Sequence, residues 1–487
     1  MTAQRKKYCL IFIALCYCFM TTNSQNRRRY FTGDNTSETE FNKIAKSAKR
    51  ASRDLDNLPD AVSLKIYTPE PQDQGKHGTC VAWSTSYAAR TISYCIQHQI
   101  KDPIQIKSVT FSPAYLYYYI KPAGDDSCAA GSRIEPALKV LSDKGDALLS
   151  DNIPDCAGNM DNAITNKAKD YTIKAYTSLS NAFGRIDKND LISIRKSISE
   201  NKPVIFSLKC LSSLFNVGKD GVWNPSPNDT IVGNHAVCIV GYDNKRLNGS
   251  FEVMNSWGKD WGNGGFFWLT DDQMKQYGSY ALELMDKESY DPKITRSLGD
   301  PQIKGSLDFV LADEFGNDLS AMPVQLAVLS ANSNIKFSNY SLTKAYSDQT
   351  KFKIKFTSNA PAFVYIFSVD DNNQVSPMFP YADNISPAVN STNATIYLPS
   401  ETKHFTLNAD ARKEKICVLF GKSPVDFNEL KAAIGRTTAG LVSPILSLYG
   451  QRIIPLDRIN YKDDSIGFGS KAGENEIICF FIDLNHQ

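Results

Sequence analysis

The segment from Gln74 to Cys80 contains the groups that nucleophilic chemistry would need. It runs directly into an apolar helical pattern, so Cys80 is expected at a helix N-terminus. The free N–H groups and the positive end of the helix dipole stabilise a thiolate there, and the thiolate is the reactive form of a cysteine. Gly78 lets the backbone approach a bound carbonyl closely. The backbone N–H of Cys80 and the amide of Gln74 are both expected to face a developing oxyanion.

Two later segments supply a partner for such a thiolate. His235 begins an apolar strand within residues 233–237, and Asn255 ends another strand 20 residues after it. The amide oxygen of Asn255 can accept a hydrogen bond from the imidazole and fix its orientation. Trp257 is expected to cover that hydrogen bond and to keep water away from it.

Each of these residues also has an ordinary structural explanation when it is considered alone. Cys80 would be a buried core residue, His235 a strand-edge histidine and Asn255 a strand-end cap. Gly131 and Ser132 come just before a predicted helix. Their backbone suits an ordinary turn as well as it suits pairing with an extended peptide. The joint presence of the segments therefore decides the interpretation.

Taken together, the segments resemble those of papain-like cysteine peptidases. The resemblance covers residues 58–286, about half of the chain. Its motifs are Gln74…Cys80, Asn234-His235-Ala236, and Asn255-Ser256-Trp257-Gly258 followed by Trp261-Gly262-Asn263-Gly264-Gly265-Phe266. The order Gln, Cys, His, Asn with these flanks is specific, whereas any single segment would be a weak signal.

The resemblance implies a role for each residue. Cys80 would be the nucleophile, and His235 the general base and acid. Asn255 would orient His235, and Gln74 would stabilise the oxyanion. The implied fold is of the α+β class, with Cys80 on a helical lobe, His235 on a β-rich lobe and the cleft between them. No metal or organic cofactor is implied. The residues expected to contact the substrate are Gly78, Gly131, Ser132, Asn234 and Trp257.

Several positions depart from the family pattern. His77 stands where the family usually has a disulfide-forming cysteine, Val81 replaces the usual tryptophan, and Asn234 stands where many plant-type members have aspartate. No long helical pro-region precedes residue 58, so residues 25–57 are expected to be at most a short plug. These features resemble the bacterial branch of the family.

The composition and the first residues indicate where the protein is located and which partners it lacks. With 54 Lys and Arg against 52 Asp and Glu, the chain has no nucleic-acid-binding signature. A basic start is followed by an apolar run over residues 8–20, which predicts a secretory signal peptide over 1–24. An uncleaved anchor is the minority alternative. The mature chain is expected to be secreted, periplasmic or at the cell surface, without a transmembrane span.

Eight of the 11 cysteines lie outside that leader. If Cys80 is a free nucleophile, seven remain, so at least one more must be unpaired. Cys128 and Cys156 lie in polar, loop-like sequence and are candidates for a disulfide. Cys238 lies in an apolar run and is expected to be a small buried side chain.

The remaining sequence predicts three further parts. Residues 36–38 are expected to cap a helix whose apolar face contains Phe41, Ile44, Ala45 and Ala48. Residues 287–305, rich in Pro, Gly and charge, predict a linker. Residues 306–487 alternate between polar and apolar side chains in short runs, which predicts a mostly antiparallel β-sandwich domain. This tail resembles a β domain of unknown function appended to bacterial secreted enzymes.

The leading hypothesis is a secreted cysteine peptidase that hydrolyses peptide bonds through a Cys-His-Asn triad and a thioester acyl-enzyme. Two alternatives remain open: a non-hydrolytic peptide-binding protein, and an acyltransferase with the same fold. The partner would be a peptide or protein substrate. The C-terminal domain is expected to dock on another protein or on a cell surface.

Overall fold

The computed structural model describes residues 30–52, 58–287, 303–330, 336–370, 372–407, 413–437 and 440–485. The predicted signal peptide lies outside the described residues, as do residues 288–302 of the predicted linker. The last three residues of that predicted linker are already part of a strand, which begins at Ile303.

A central helix organises the first lobe. It starts at Cys80 and continues through three consecutive segments, Cys80–Ala82, Trp83–Arg90 in the wider π form, and Thr91–Gln97. Four further helices surround it: Pro103–Ser108, Pro113–Ile120, Ile134–Asp143 and Asn162–Ala168. Two of them begin with proline just after a capping side chain, Asp102 or Ser112. Such starts suit helices because the missing proline N–H would be unpaired there anyway.

The second lobe is a seven-stranded antiparallel sheet. Its strands are β1 (Ala61–Ser63), β2 (Ala175–Ser178), β3 (Val204–Leu211), β4 (Ile231–Asp243), β5 (Ser250–Met254), β6 (Phe266–Thr270) and β7 (Gly278–Met285). The order is β2-β7-β3-β4-β5-β6, with β1 paired to β4. Helices Lys188–Ser199 and Asp271–Tyr277, each with a capping box, pack on this sheet. The predicted α+β arrangement of a helical lobe and a β-rich lobe is confirmed.

A buried ion pair joins the two lobes. Arg90, on the central helix, places Nη1 2.5 Å from the carboxylate of Asp286, just beyond β7. The Arg90 side chain is only 3% exposed. Burial raises the pKa of Asp286, and the charge of Arg90 acts in the opposite direction. The pair therefore fixes the central helix against the end of the sheet.

The C-terminal region, here called the accessory domain (residues 303–485), contains two further seven-stranded sheets. The strands of one are β8 (Ile303–Ala312), β9 (Asp318–Ala321), β12 (Lys351–Ser358), β16 (Ala394–Leu398), β17 (Phe405–Thr406), β19 (Ile459–Tyr461) and β20 (Ile466–Ser470). Those of the other are β10 (Val324–Ser330), β11 (Lys336–Leu342), β13 (Ala362–Val369), β14 (Val375–Phe379), β15 (Ala388–Val389), β18 (Lys413–Gly421) and β21 (Ile477–Asn485). The pairings are antiparallel except that of β11 with β21. The predicted sandwich is confirmed.

The accessory domain has a third layer that the sequence did not predict. Helices Phe427–Gly435 and Val442–Tyr449 cover the outer face of the β13–β18–β21 sheet, where a second apolar cluster forms. Met285, at the end of β7, belongs to the same cluster. Both helices are short and lie in a sequence of alternating strands, so their signal was easily missed.

The predicted N-terminal helix is much shorter than expected. It spans only Glu38–Phe41, capped by Ser37, and Ala45 and Ala48 lie beyond it in extended chain. Short helices gain little by themselves. The backbone around Lys46 instead pairs with two partners, near Ser178 and near Ile385. These tertiary hydrogen bonds replace the helix.

No helix within the described ranges is long and apolar enough to cross a membrane.

Replacing Arg90 tests the connection between the lobes. Arg90→Leu should lower the free energy of unfolding by about 3–5 kcal/mol, because removing one member of a buried pair leaves the other charge uncompensated. Urea denaturation would measure the loss. Arg133→Ala is the matched control, since that arginine is half exposed in its pair with Glu40. A loss below about 1 kcal/mol for Arg90→Leu would contradict this account.

Candidate active site

Cys80 lies at the first turn of the central helix, as predicted, and is fully buried. Gln74 lies in the preceding loop, with 2% of its surface exposed. Its side-chain oxygen accepts from the hydroxyl of Ser256 at 2.6 Å, and its Nε2 donates to the carbonyl of His77 at 2.7 Å. Among the described residues that amide has no second acceptor, so one of its N–H groups stays available. Gln74 is therefore held rigidly beside the start of the helix.

His235 and Asn255 meet across strands β4 and β5. His235 Nε2 lies 2.8 Å from Asn255 Oδ1, and the backbone N–H of Ser256 donates to the same oxygen at 2.8 Å. Because an amide oxygen only accepts, Nε2 must carry the proton, which leaves the lone pair of the neutral imidazole on Nδ1. Nδ1 is buried without a hydrogen-bond partner among the described residues. This nitrogen is free to take a proton.

Trp257 covers this hydrogen bond, as the sequence predicted. Its ring stacks on His235, with centroids 4.6 Å apart and planes 18° apart. Tyr30 stacks on the other side of Trp257 at 4.9 Å, and Phe215 lies 5.3 Å from the same ring. Trp257 is fully buried. The imidazole is consequently shielded from water.

Residues 30–36, here called the strap, run through the cleft between the lobes. On the helical side, the strap pairs with Ser132 in the parallel direction. The N–H of Asn35 donates to the Ser132 carbonyl, and the N–H of Ser132 donates to the Gly33 carbonyl, both at 2.8 Å. On the sheet side, Gly33 and Asp34 donate to the carbonyl of Asn234 at 3.4 and 3.3 Å. The strap thus occupies the cleft as an extended peptide would.

The strap lies directly against the residues that flank Cys80. A Cβ added to Gly33 would stand 2.2 Å from the carbonyl oxygen of Gly78, so no larger residue fits there. Gly131 has a φ of +80°, and a Cβ there would meet the carbonyl oxygen of Gly33 at 2.6 Å. Glycine is needed at both positions because two backbones approach so closely.

The strap changes the electrostatics of the site. Burial, followed by the negative charge of Asp34, raises the pKa of Cys80 to about 12, although N–H groups of Ala236, Val81 and Gly33 act in the opposite direction. Burial also lowers the pKa of His235 to about 4, against the effect of Asn255. Both groups are therefore neutral at pH 7 while the strap is in place.

Asp34 projects from the strap into a buried polar pocket. One carboxylate oxygen accepts from the Ser207 hydroxyl at 2.5 Å and from the Tyr280 hydroxyl at 2.8 Å. The other oxygen accepts from the backbone N–H of Thr36 at 3.0 Å and from its hydroxyl at 2.6 Å. Asp34 is 2% exposed, and Ser207 and Tyr280 are fully buried.

The remaining predicted residues lie around the same cleft. Cys128 and Cys156 are joined in a disulfide, with Cα atoms 5.7 Å apart. The Gly78 N–H donates to the carbonyl of Cys128 at 2.7 Å. A cavity of about 520 Å³, lined in part by this disulfide and by Gln74, adjoins the site outside the strap. His77, which replaces the usual cysteine, is exposed, and Cys238 is buried as expected.

Sequence reasoning missed the residues that occupy the cleft and those that line its base. Gly33 and Asp34 lie in a short polar stretch without periodicity, and Ser207 and Tyr280 lie within apolar strands. A buried hydroxyl in such a strand is an unusual feature, but its partner cannot be read from the sequence. The one available signal was the aromatic pair formed by Tyr30 and Phe31 within a polar segment.

Comparison with known proteins agrees with this geometry. A family model described as "Papain family cysteine protease" matches residues 59–284. These residues belong to the papain family. A second model, described as a domain of unknown function (DUF4384), matches residues 345–424 of the accessory domain. The protease domain and the separate accessory domain are thus both identified, while the bacterial branch stays a prediction.

Individual relatives are about a quarter identical to this chain over the aligned residues. A probable cysteine protease of Arabidopsis thaliana is 24% identical over 47% of this chain and 47% of its own length. The KDEL-tailed cysteine endopeptidase CEP2 of the same organism is 26% identical over 56% of this chain and 71% of its own length. The structure of xylellain, a cysteine protease from Xylella fastidiosa, aligns at 22% identity and a TM-score of 0.43, over 54% of this chain and 97% of its own. The chain thus spans about half the length of the first relative.

Labelling of Cys80 with iodoacetamide tests whether the strap shields the thiol of the protease domain. In Gly33→Val the added side chain collides with Gly78, so labelling at pH 7.5 should rise at least tenfold. The pH profile should also move to lower pH, because losing Asp34 and admitting water lower the pKa of the thiol. Mass spectrometry of the Cys80 peptide would measure both.

The matched control for this labelling experiment is Gly435→Val, at the end of an accessory helix, where an added Cβ meets no atom within 4 Å. Its labelling should equal that of the wild type. Equal labelling of wild type and Gly33→Val would show that the strap does not protect Cys80.

Proposed function

We propose that the protein is an exported cysteine peptidase that hydrolyses peptide bonds through Cys80, His235 and Asn255. The observation that carries the proposal is the orientation of His235: Asn255 holds Nε2, and the free Nδ1 is buried in the cleft. Further support comes from the position of Cys80 at a helix start, with its sulfur beside the N–H of Ala236, the residue after His235.

The proposed reaction starts once the strap has left the cleft. The thiol proton of Cys80 moves to Nδ1 of His235, and the thiolate attacks the peptide carbonyl carbon. The N–H of Cys80 and the free amide N–H of Gln74 donate to the oxyanion. The C–N bond then breaks, the leaving amine takes the proton from His235, and a thioester remains on Cys80. Water hydrolyses the thioester with His235 as base, which restores the thiol.

The remaining residues contribute positioning rather than bonds to the reacting atoms. Asn255 keeps the imidazole in the tautomer that has its lone pair on Nδ1, and Trp257 excludes water from that hydrogen bond. Ser132 offers the substrate the backbone N–H and carbonyl that now pair with the strap, and Asn234 offers a carbonyl on the opposite side. Gly131 has no side chain to obstruct a backbone in the position of Gly33. Glycine at position 78 lets the loop at Ala129 and Gly131 approach the backbone beside Cys80, since a Cβ there would stand 2.8 Å from both.

In the structure as it stands, the strap prevents this reaction. It fills the cleft, and it keeps the thiol and the imidazole neutral. We therefore propose that the described state is a resting form. The short plug expected from the sequence fits this interpretation, although the plug involves only residues 30–36.

The two alternatives make different predictions. A peptide-binding protein would capture peptides without turnover after strap release, and an acyltransferase would form a new amide when an amine is supplied.

Export is also part of the proposal. A reporter fused after residue 24 should be transported out of the cytoplasm, and a reporter that stays in the cytoplasm would count against export.

Peptide hydrolysis by full-length Gly33→Val tests the proposed reaction. This variant should hydrolyse a fluorogenic peptide library at least tenfold faster than the wild type, and adding Cys80→Ala should abolish the activity. In the Gly33→Val background, Gln74→Ala should lower kcat by about 10²–10³, the usual loss for one oxyanion donor. Gln72→Ala, an exposed glutamine two residues earlier, should change kcat little. Turnover that survives Cys80→Ala would refute the proposal.

A further inference from the structure

The pocket that holds Asp34 is chemically unusual for a site inside an apolar core. Its floor consists of two hydroxyl groups, from Ser207 on β3 and Tyr280 on β7, within a cluster of buried aliphatic and aromatic side chains. The rings of Phe41 and Phe183 lie 6.0 and 6.4 Å from the Tyr280 ring. A carboxylate in such a place must be stabilised by hydrogen bonds.

The two hydroxyls belong to the sheet, so they remain in place when the strap leaves. All four hydrogen bonds to Asp34 come from uncharged groups, and only two of them, those from Thr36, leave with the strap. Ser207 and Tyr280 would then be hydroxyl donors at the floor of an open pocket, and a substrate side chain that enters it displaces the water they bind. An aliphatic substrate side chain would leave them unpaired, whereas a carboxylate or amide oxygen would accept from both.

We propose that this pocket selects substrates with aspartate, and next with asparagine, at the residue that enters it from the acyl side of the cleaved bond. The inference rests on the proposed peptidase function and adds the substrate class. Ser207 and Tyr280 are the specificity-determining residues. A site built to hydrogen-bond a polar group discriminates strongly against substrates that lack it.

The test uses full-length Gly33→Val and fluorogenic tetrapeptides in which each acyl-side position is varied in turn. At one position, kcat/KM for Asp should exceed that for Leu or Phe at least tenfold, with Asn next. Adding Ser207→Val and Tyr280→Phe should remove or reverse this preference. Tyr280→Phe alone, which keeps the ring, should weaken the preference with little change in thermal stability. Aliphatic preference at every position, or an Asp preference that the variants leave unchanged, would overturn the inference.

A binding experiment separates this inference from the proposed reaction. A synthetic peptide of residues 30–36 should bind the full-length Gly33→Val, Cys80→Ala variant at least tenfold more tightly than the same peptide with Asp34→Leu. If no peptide is hydrolysed but this difference appears, the reaction fails and the pocket stands. If peptides are hydrolysed but the two peptides bind equally, the pocket assignment fails alone.

A second, independent observation concerns the chain that follows the strap. Residues 44–52, here called the latch segment, lie between the protease domain and the accessory domain. Towards the protease domain, Ser47 N–H donates to the carbonyl of Ser178, and Ser178 N–H donates to Ala45, both at 2.9 Å. Towards the accessory domain, the N–H of Lys46 donates to the carbonyl of Asn384 at 2.8 Å, and the carbonyl of Lys46 accepts from the N–H of Ser386 at 2.9 Å. The latch segment is thus an extra strand between the two domains.

Side chains of the accessory domain hold the same segment. Glu401 accepts from the N–H and the hydroxyl of Ser52, at 2.8 and 2.6 Å. Arg50 contacts the Ser391 hydroxyl and pairs with Glu200 of the protease domain at 3.0 Å. Ser391 in turn donates to Glu200 at 2.6 Å. These side-chain contacts are polar and partly exposed, while Ala48 packs against the accessory core and Ala51 is fully buried.

We infer that the accessory domain keeps the strap in the cleft by binding the latch segment. Because the strap and the latch segment are separated by one short helix, contacts that fix residues 44–52 limit how far residues 30–36 can move. The accessory domain therefore has the N-terminal segment of its own chain as a binding partner.

The test compares full-length variants by iodoacetamide labelling of Cys80, which needs no hydrolysis. Glu401→Ala combined with Ser391→Ala should raise the labelling rate at least fivefold. Glu474→Ala is the matched control, because its carboxylate also joins the domains, through Lys174 at 3.0 Å, but does not contact the latch segment. Wild-type labelling in the double variant, or an equal rise in Glu474→Ala, would overturn the inference. Thermal melts of the three proteins verify that both domains stay folded.

Discussion

The structure depends on one close approach, that of the strap backbone at Gly33 to the loop that ends at Cys80. Gly33 has no side chain, and a Cβ there would stand 2.2 Å from the carbonyl oxygen of Gly78, so the two backbones are in direct contact. This contact brings a carboxylate, that of Asp34, near the thiol and excludes water from the cleft. The hydrogen bonds on both sides of the strap follow from it.

The ionisation of Cys80 would differ between the forms with and without the strap. A helix start and several N–H groups around Cys80 favour a thiolate, whereas burial and the charge of Asp34 favour the thiol. While the strap is present, burial is the larger effect. Its removal would leave the helix start, the oriented imidazole and the two hydroxyls of the empty pocket facing the substrate. In the proposed mechanism, the resting form and the reactive form differ in the position of residues 30–36.

The accessory domain extends this dependence beyond the cleft. Its contacts with residues 44–52 connect a β-sandwich to the cleft without touching Cys80 or His235. Met285 of the protease domain also packs into the outer core of the accessory domain. The two domains are therefore coupled both by an apolar contact at Met285 and by the hydrogen bonds of residues 44–52.

The sequence alone determined which residues could take part in the reaction, because local motifs mark Gln74, Cys80, His235 and Asn255 in that order. It also determined the strands of the tail, because alternating polar and apolar residues form a period-two pattern. It predicted a longer N-terminal helix and no accessory helices, since both outcomes depend on which surfaces are available for packing. Only the tertiary structure decided that Asp34 meets Ser207 and Tyr280. Ser207 and Tyr280 follow Asp34 by 173 and 246 positions, and no local motif marks any of the three, so these hydrogen bonds exist only once the strap is folded between the two lobes.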